Sequence, residues 1–301
     1  MTTTHLEVGQ HTLELKHLDK PFFPKAGLTK GDVVDYYRRI AGTMLPHLQQ
    51  RPLNLFRAPE GLGGDTFFQQ NRPDYFPDWI EGVSLDQGNG TTTHVLCASV
   101  EALVYLANQA CITPHVWLSR VQNLNSPDRL IFDLDPPDDD FQPVRDAARK
   151  VRDLFCRVGL TPFVQTTGSR GLHVVAPLDT KADFDTTRNL AQDLAETLAQ
   201  KYPDQLTTAQ YKDQRQGRLY LDTKRNAYGQ TAVAPYAIRL KPGAPVATPL
   251  EWDELSHGDL HAQSYTVENI FRRLGQKEDP WGSMAESAGS VANARKQLEQ
   301  F

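Results

Sequence analysis

The chain has 301 residues, enough for one large domain or two closely packed lobes, and its formal net charge is −5. Hydrophobic residues make up 39% and charged residues 23%, which is typical of a folded chain and argues against a disordered one. No apolar run reaches the roughly 20 residues of a membrane span, and the N-terminus lacks the basic and apolar parts of a signal peptide. We therefore expect a cytoplasmic protein.

The three cysteines, Cys97, Cys111 and Cys156, are widely spaced and lie in apolar runs. This odd number supports neither a disulfide framework nor a cysteine-based zinc site. We expect core thiols in a reducing compartment.

The N-terminal part is predicted to contain short strands with single helices between them. A strand is predicted at 11–17, and a helix at Gly31–Leu48, where Thr29 and Asp32 form a capping box and apolar residues follow helical spacing. Strand-like segments follow at 53–57, 66–70 and 93–99, and Ser99 caps a second helix at about 100–111.

From residue 129 the pattern predicts strands at 130–134, 163–167, 171–178, 219–222 and 237–240, with helices at about 143–158 and 184–201. This irregular order predicts an α+β fold and not a regular βαβ repeat. The segment after Pro280 is rich in Ser, Ala and Gly, which predicts a surface helix or a linker.

Two aspartates, Asp133 and Asp135, end the apolar run LIFDLDPP at 130–137. Alternate residues of a strand share a face, so the two carboxylates lie side by side, and a divalent cation would relieve their repulsion. Asp before Pro is also typical of a turn, and the pair alone does not decide between the two. In RLYLDTKRN at 218–226, Tyr220 and Asp222 share a face, so a third carboxylate can join a two-metal site that acts on phosphates.

A glycine-rich turn in QTTGSRGLHVVAPL places Thr167, Ser169, Arg170 and backbone amides around a common space, as in anion-binding nests. His173 lies on the next strand. It could contact a phosphate or could be a buried histidine of the core, and the sequence alone leaves both roles possible. The segment 208–241 contains seven Lys or Arg and two Asp, a local charge of +5. Such a stripe suits a phosphate-rich ligand, although a solvated charged face has the same composition.

Three motifs, DLDPP, TTGSRGLHVVAPL and DTKRNAYGQTAVAPYAIR, occur in an order and at spacings that resemble the polymerase domain of bacterial DNA ligase D. That domain belongs to the archaeo-eukaryotic primase superfamily, and the resemblance covers residues 18–281. It implies an α+β primase–polymerase fold with central mixed or antiparallel sheets flanked by helices. It also implies one catalytic domain at 1–285, in two closely packed subregions at about 1–125 and about 126–280, followed by a tail or linker at 286–301.

The resemblance implies a role for each residue of the catalytic subregion's motifs. Two divalent ions, manganese or magnesium, would be held by the catalytic residues Asp133, Asp135 and Asp222. The incoming nucleotide would be bound by His115, Thr167, Ser169, Arg170, His173, Arg225 and Arg239. Thr167 stands where the family has Ser, and Arg170 stands where the family has Lys.

The resemblance also implies a DNA-binding set in the N-terminal subregion. Lys20 and Lys30 would bind the 5′-phosphate at a DNA break, Phe67 and Phe68 would stack on bases, and Arg57 would contact a phosphate. Taken singly, each lysine could also be an ordinary surface residue, and the aromatic pair could also belong to the protein core.

We therefore expect a template-dependent nucleotidyltransferase that adds ribo- or deoxyribonucleotides to primer 3′-ends at gaps and double-strand breaks in non-homologous end joining. The implied partners are 5′-phosphorylated DNA, a Ku homodimer and an ATP-dependent DNA ligase, and the chain is expected to be a monomer. It lacks the Lys-x-Asp-Gly motif of a ligase, so we expect an excised domain or a stand-alone relative. Two alternatives are a metal-dependent glycosyltransferase, which leaves Asp222 and Arg225 unexplained, and a non-catalytic DNA-end-binding scaffold, against which the intact carboxylates argue.

Overall fold

The structure, a computed structural model, describes residues 3–86 and 90–300. Its helices and mainly antiparallel sheets confirm the predicted α+β class. The chain divides into two compact units, a first at Met1–Gln122, Thr231–Ala247 and Thr266–Ile270, and a second at Asn123–Gln230, Thr248–Tyr265 and Phe271–Phe301. The predicted boundary at about residue 125 lies close to the first division, but it did not include the two later segments that return to the first unit.

The described residues form sixteen strands, several of them only two or three residues long. In chain order they are β1 (Thr3–Val8), β2 (His11–Lys16), β3 (Pro21–Phe23), β4 (Leu28–Thr29), β5 (Leu53–Arg57), β6 (Phe67–Gln69), β7 (Gly82–Asp86), β8 (Thr91–Val95), β9 (Cys111–Trp117), β10 (Arg129–Asp135), β11 (Phe163–Thr166), β12 (Leu172–Pro177), β13 (Leu206–Thr207), β14 (Leu219–Asp222), β15 (Thr231–Val233) and β16 (Pro249–Leu250).

The described residues also form seven α-helices, and the four predicted ones are found with ends that differ by at most three residues. The helices are α1 (Lys30–Leu48), α2 (Val100–Asn108), α3 (Gln142–Arg157), α4 (Phe184–Lys201), α5 (Lys212–Arg215), α6 (Ile270–Leu274) and α7 (Val291–Leu298). No helix in this described part of the chain is long and apolar enough to cross a membrane.

The first unit is organised around a sheet with the strand order β15-β9-β5-β8-β7, and β6 also pairs with β5. The helix α1 begins where Thr29 and Asp32 form the predicted capping box, which satisfies amides that would otherwise lack partners. Tyr36 and Tyr37 on this helix are fully buried, and their hydroxyls donate to backbone carbonyls of the same unit. Each buried hydroxyl thus has the hydrogen bond that burial requires.

The second unit contains a six-stranded sheet with the order β13-β14-β10-β12-β11-β16, antiparallel except at β13–β14. Leu130, Phe132 and Leu134 alternate along β10 and pack with α3 and α4 into one apolar core. Because successive strand residues face opposite sides, Asp133 and Asp135 lie on the other face of the same strand. The core face of this sheet therefore determines the orientation of the two carboxylates.

Several local predictions were wrong. The predicted strand at 237–240 is absent, since Tyr236 adopts a φ of 64° that interrupts the extended chain and leaves one isolated bridge at Ile238. The predicted second helix ends at Asn108, and Cys111 begins β9.

One further prediction was wrong about burial. Cys156 is exposed on α3, whereas Cys97 and Cys111 are buried as predicted. The segment predicted as a surface helix or a linker contains the helix α7, whose Val291 and Ala294 are three residues apart and enter the core of the second unit.

Candidate active site

A row of polar side chains crosses the sheet of the second unit. Asp222 on β14 lies directly opposite Asp133 on β10, Asp133 lies opposite His173 on β12, and His173 lies opposite Gln165 on β11. Directly opposite residues project from the same face of a sheet, and Asp135 shares that face because it is two residues from Asp133. The structure thus brings together the three predicted metal ligands on the face opposite the apolar core.

Asp133 is buried and is held from two sides. Its Oδ1 lies 3.5 Å from Nε2 of His173, and its Oδ2 lies 3.6 Å from Nη2 of Arg225. The side-chain Nε2 of Gln165 lies 3.2 Å from Nδ1 of the same histidine, so both ring nitrogens have neighbours. Asp133, His173 and Gln165 are 7%, 3% and 2% exposed, which makes this part of the row rigid.

The other two carboxylates differ in their hydrogen bonding. Asp222 Oδ1 accepts from the backbone N–H of Lys224 at 2.8 Å and from the Tyr220 hydroxyl at 3.4 Å. No residue in the described part of the chain donates a hydrogen bond to Asp135. Burial, and then the negative charge of Asp133, raises the pKa of Asp135 above its usual range.

This donor set fits a hard divalent cation. Carboxylate oxygens are the ligands that Mg²⁺ and Mn²⁺ accept, and Asp135 is a half-buried carboxylate without a hydrogen-bond donor. Within residues 3–86 and 90–300, however, no three His, Cys, Asp or Glu side chains are already arranged as a metal site.

Asn226 anchors the strand of the acidic row, a role that sequence reasoning missed. It is fully buried, its Oδ1 accepts from the N–H of Ile131, and its Nδ2 donates to the carbonyl of Ile131, both at 2.8 Å. The side chain thus continues the pairing of β10 beyond the end of β14 and holds the adjacent Arg225 near Asp133. An asparagine after a strand is common, so the sequence offered no specific signal.

The glycine-rich turn is closed by the hydroxyl of Thr167. This oxygen donates to the carbonyl of Gly171 at 3.1 Å and accepts from the N–H groups of Ser169 and Gly171, both at 3.2 Å. The hydroxyl that we predicted to contact a triphosphate is therefore engaged within the turn. Ser169 and the exposed Arg170 are the polar side chains of this turn nearest its surface.

Two glycines make this turn possible. Gly168 has a φ of 63°, in the left-handed region that favours glycine. A Cβ on Gly171 would lie 2.0 Å from the carbonyl oxygen of Leu134, so any side chain there would displace the strand that carries Asp133.

Arg215 was also missed as a neighbour of the site, and Tyr220 was placed on the face of Asp222 but was given no role. Tyr220 lies opposite Asp135, and the Arg215 guanidinium lies 4.1 Å from the centre of its ring. Burial and the charge of Asp222 raise the pKa of Tyr220 to about 12, so the hydroxyl stays protonated. The available signal was the basic segment at 208–241, which we interpreted only as a stripe of charge.

Two predicted nucleotide-binding residues belong to the first unit. His115 on β9 pairs with Val233 and Asn54 on the neighbouring strands, and its ring meets that of Phe68 edge-on at 5.3 Å. Arg239 donates its backbone N–H to Pro245 at 2.7 Å.

The two predicted phosphate-binding lysines lie near each other in the first unit. Lys30 is 8% exposed and donates to the carbonyl of Lys16 at 2.8 Å, while Lys20 pairs with Glu60 at 2.5 Å. Burial and the charge of Lys20 lower the pKa of Lys30 to about 8. The first amides of α1 bind the carbonyls of Lys20 and Leu18, so a phosphate would be contacted by the lysine side chains and not by the helix end.

Arg57 organises the exposed aromatic residues of the first unit. Phe67 and Phe68 are 45% and 56% exposed on β6, so they do not belong to the core. Nε of Arg57 donates to the carbonyl of Gln109 and Nη1 to the Tyr75 hydroxyl, both at 2.8 Å, and the guanidinium lies 5.4 Å from the Phe67 ring centre. The residue predicted as a phosphate contact thus uses these donors to bind the Gln109 backbone and the Tyr75 hydroxyl.

The fold of this chain is similar to that of a solved structure, the polymerase domain of Mycobacterium tuberculosis ligase D in complex with DNA, with a TM-score of 0.87. That chain is 31% identical, and the match covers 92% of this chain and 99% of the other. The fold is therefore that of a primase–polymerase domain. The chain belongs to the LigD primase-polymerase domain family, whose sequence model matches residues 29–281. This confirms the resemblance found from the motifs.

Curated relatives are considerably longer than this chain. The multifunctional non-homologous end joining DNA repair protein LigD of M. tuberculosis is 33% identical over 280 residues, which is 90% of this chain and 37% of the relative. The bifunctional non-homologous end joining protein LigD of Bacillus subtilis is 30% identical over 286 residues, which is 92% of this chain and 46% of the relative. The chain thus spans less than half the length of either.

Proposed function

We propose that this chain is a template-dependent polymerase that adds ribo- or deoxyribonucleotides to primer 3′-ends at gaps and double-strand breaks, with release of pyrophosphate. The observation that carries the proposal is the placement of Asp133, Asp135 and Asp222 on one sheet face in a chain of this family. A non-catalytic scaffold would not need three carboxylates held against their mutual repulsion.

In this proposal Asp133, Asp135 and Asp222 hold two divalent ions, Mn²⁺ or Mg²⁺. When bound, such ions lower the pKa of a primer 3′-hydroxyl and neutralise the charge of a triphosphate. His173 and Arg225 orient the Asp133 carboxylate through contacts at 3.5 and 3.6 Å, which keeps its oxygens in one geometry.

The chain's own cations grip the incoming nucleotide. Arg170 and Arg225 offer planar guanidinium groups that match phosphate oxygens, and Ser169 adds a hydroxyl at the turn. We assign His115 and Arg239 to the same task from family membership. Thr167 acts indirectly, since it maintains the turn that presents Ser169 and Arg170.

The first unit supplies the proposed DNA contacts. Lys20 and Lys30 bind the 5′-phosphate of the end, and the exposed rings of Phe67 and Phe68 stack on bases. The names of the relatives support a role in non-homologous end joining, and we propose a Ku homodimer and an ATP-dependent DNA ligase as partners of a monomer in the bacterial cytoplasm.

The proposal is tested by primer extension on a gapped, 5′-phosphorylated duplex with Mn²⁺ and ribo- or deoxyribonucleoside triphosphates. We expect the purified chain to extend the primer, and Asp133→Asn or Asp135→Asn to lower the single-turnover rate at least about 100-fold. The matched control is Asp204→Asn, at an exposed carboxylate in the loop after α4, which should leave the rate unchanged.

Binding of the duplex without extension would favour the scaffold alternative and exclude the polymerase. The end-recognition part is tested separately with duplexes that carry or lack the 5′-phosphate. Lys20→Ala should remove the preference for the phosphate, whereas Lys25→Ala, at an exposed lysine nearby, should not. Equal binding of the two duplexes by the wild type would overturn end recognition.

A further inference from the structure

A cavity of about 570 Å³ lies in the first unit, next to the hairpin of β1 and β2. The groups on its wall include three aromatic rings, two side-chain amides and an ammonium group without a carboxylate partner among the described residues, a mixture suited to a ligand with a flat ring and an anionic group. These residues are Tyr75, Trp79, Tyr105, Asn108, Gln109 and Lys30.

The ammonium group of Lys30 at this wall lacks a counter-ion. Lys30 is only 8% exposed, and its Nζ donates to the carbonyl of Lys16. No carboxylate in the described part of the chain pairs with it. Glu14 and Lys16 also line the cavity but pair with each other at 3.1 Å. A buried, uncompensated ammonium is costly, and one such charge matches one phosphate group better than a triphosphate.

The aromatic rings of the cavity are held in place before any ligand binds. Trp79 stacks on His11 with ring centres 4.3 Å apart, and it meets Tyr105 edge-on at 5.5 Å. Tyr75 is 62% exposed, and Arg57 holds its hydroxyl at 2.8 Å. Rings fixed in this way bind a nucleobase without losing further side-chain freedom.

A hydrogen-bonding group stands beside these rings. The side-chain amide of Gln109 has no hydrogen-bond partner among the described residues, and it offers both a donor and an acceptor to the edge of a base. Arg57 connects this cavity to the exposed pair on β6, since its guanidinium also lies against Phe67. A strand stacked on Phe67 and Phe68 would thus lead toward the cavity.

From these observations we propose that the cavity receives the base of the 5′-terminal nucleotide of a DNA end, turned out of the duplex while Lys30 holds its 5′-phosphate. The terminal base stacks on one side only, so it is the least costly base to extrude. Lys30 itself lines the cavity, which places the base of a phosphate-bound nucleotide within reach of the rings. This inference rests on the proposed function and defines how the same protein recognises its DNA end.

Photo-cross-linking tests the position of the base. A gapped duplex carries 5-iodouracil as its 5′-terminal, phosphorylated nucleotide, and the cross-linked peptide is identified by mass spectrometry after irradiation with the full chain. We expect cross-links at Tyr75, Trp79 or Tyr105, and none when the iodouracil is moved one nucleotide inward or the phosphate is removed. Cross-links at Phe67 or Phe68, or none at all, would overturn the proposal.

Binding affinity provides a second test. Replacing the 5′-terminal base by an abasic site, with the phosphate kept, should weaken binding about tenfold, as expected for one stacked base. Tyr75→Ala should reduce this ratio at least about threefold. Tyr211→Ala is the matched control, because this tyrosine is 70% exposed in the second unit and should leave the ratio unchanged. Equal affinity of the wild type for the two duplexes also contradicts the inference.

The two proposals fail in distinguishable ways. Primer extension on the same gapped duplexes reports the polymerase, whereas the cross-link and the abasic ratio report the cavity. If the primer is extended but the iodouracil does not cross-link and the abasic site does not weaken binding, only the cavity proposal is contradicted. Cross-linking without extension supports the cavity as a DNA-end site and removes the polymerase.

Discussion

The two units prepare their functional residues in different ways. In the second unit the acidic row is built by strand register, and Asp133 is held by buried neighbours on both sides. In the first unit the aromatic rings are exposed, and a single side chain, Arg57, links Phe67 to Tyr75. The proposed chemistry needs fixed oxygens and lies on a sheet, whereas the proposed recognition of a DNA end uses rings that remain accessible at the surface.

This contrast predicts that substitutions in the acidic row affect stability and activity together. Substitutions at the exposed rings should affect DNA binding with little effect on stability.

Asn226→Ala tests whether the row depends on the buried side chain that extends β10. The substitution leaves the N–H and the carbonyl of Ile131 without these partners, so we expect the free energy of unfolding to fall by about 2–4 kcal/mol. Urea unfolding measures the change. Asn189→Ala, at an exposed position of α4, is the control and should stay within about 0.5 kcal/mol of wild type.

Thr167→Val tests whether this hydroxyl closes the glycine-rich turn. Valine keeps the shape but removes the acceptor for two backbone amides, so we expect a loss of about 1–3 kcal/mol together with weaker nucleotide binding. Thr167→Ser keeps the oxygen and should restore both unfolding energy and affinity. A valine variant with wild-type stability would show that the turn does not need the hydroxyl.

Asp135→Asn tests the like-charge repulsion within the row and should change stability in the opposite direction. Removing one of three neighbouring negative charges should stabilise the ion-free protein by about 0.5–1 kcal/mol at neutral pH. Because the pKa of Asp135 is raised, its protonation should likewise stabilise the wild type as the pH falls from the raised pKa toward the ordinary value of 3.8.

Thermal unfolding with and without Mn²⁺ completes this test. The ion should raise the melting temperature of the wild type and have less effect on Asp135→Asn. Asp204→Asn should respond to Mn²⁺ as the wild type does. Equal shifts in all three proteins would remove Asp135 from the ion site.

The last prediction concerns the pH dependence of end recognition, a property of DNA binding and not of protein stability. The pKa of Lys30 is about 8, so this ammonium is charged at pH 7 and mostly neutral at pH 9. The preference for a 5′-phosphorylated duplex should therefore fall as the pH rises, by up to about tenfold. Fluorescence anisotropy measures it, and Lys30→Arg should remove the pH dependence because Arg stays protonated.

The placement of the three carboxylates was predictable because it depends on the two-residue period of strands. In the runs LIFDLDPP and RLYLD the aspartates lie on one face of the strand and the leucines on the other. Because the leucines are buried in the core, the aspartates must lie on the face away from the core. The capping box of Thr29 and Asp32 was predictable for the same reason, since it needs only four consecutive residues.

The partners of those residues were not predictable from single segments. The alignment of Asp222, Asp133, His173 and Gln165 depends on the register of four strands that are far apart in sequence. The linking role of Arg57 likewise depends on Gln109 and Tyr75, which reach it only in the folded first unit.

Gly171 limits how this protein can be engineered. Its missing side chain leaves room for the carbonyl of Leu134, so even alanine would force apart the two strands beside Asp133. Arg170, one residue earlier, is exposed, and its Nη2 makes a long hydrogen bond of 3.5 Å to the carbonyl of Pro136. Libraries designed to alter nucleotide preference should therefore randomise position 170 and keep glycine at 171.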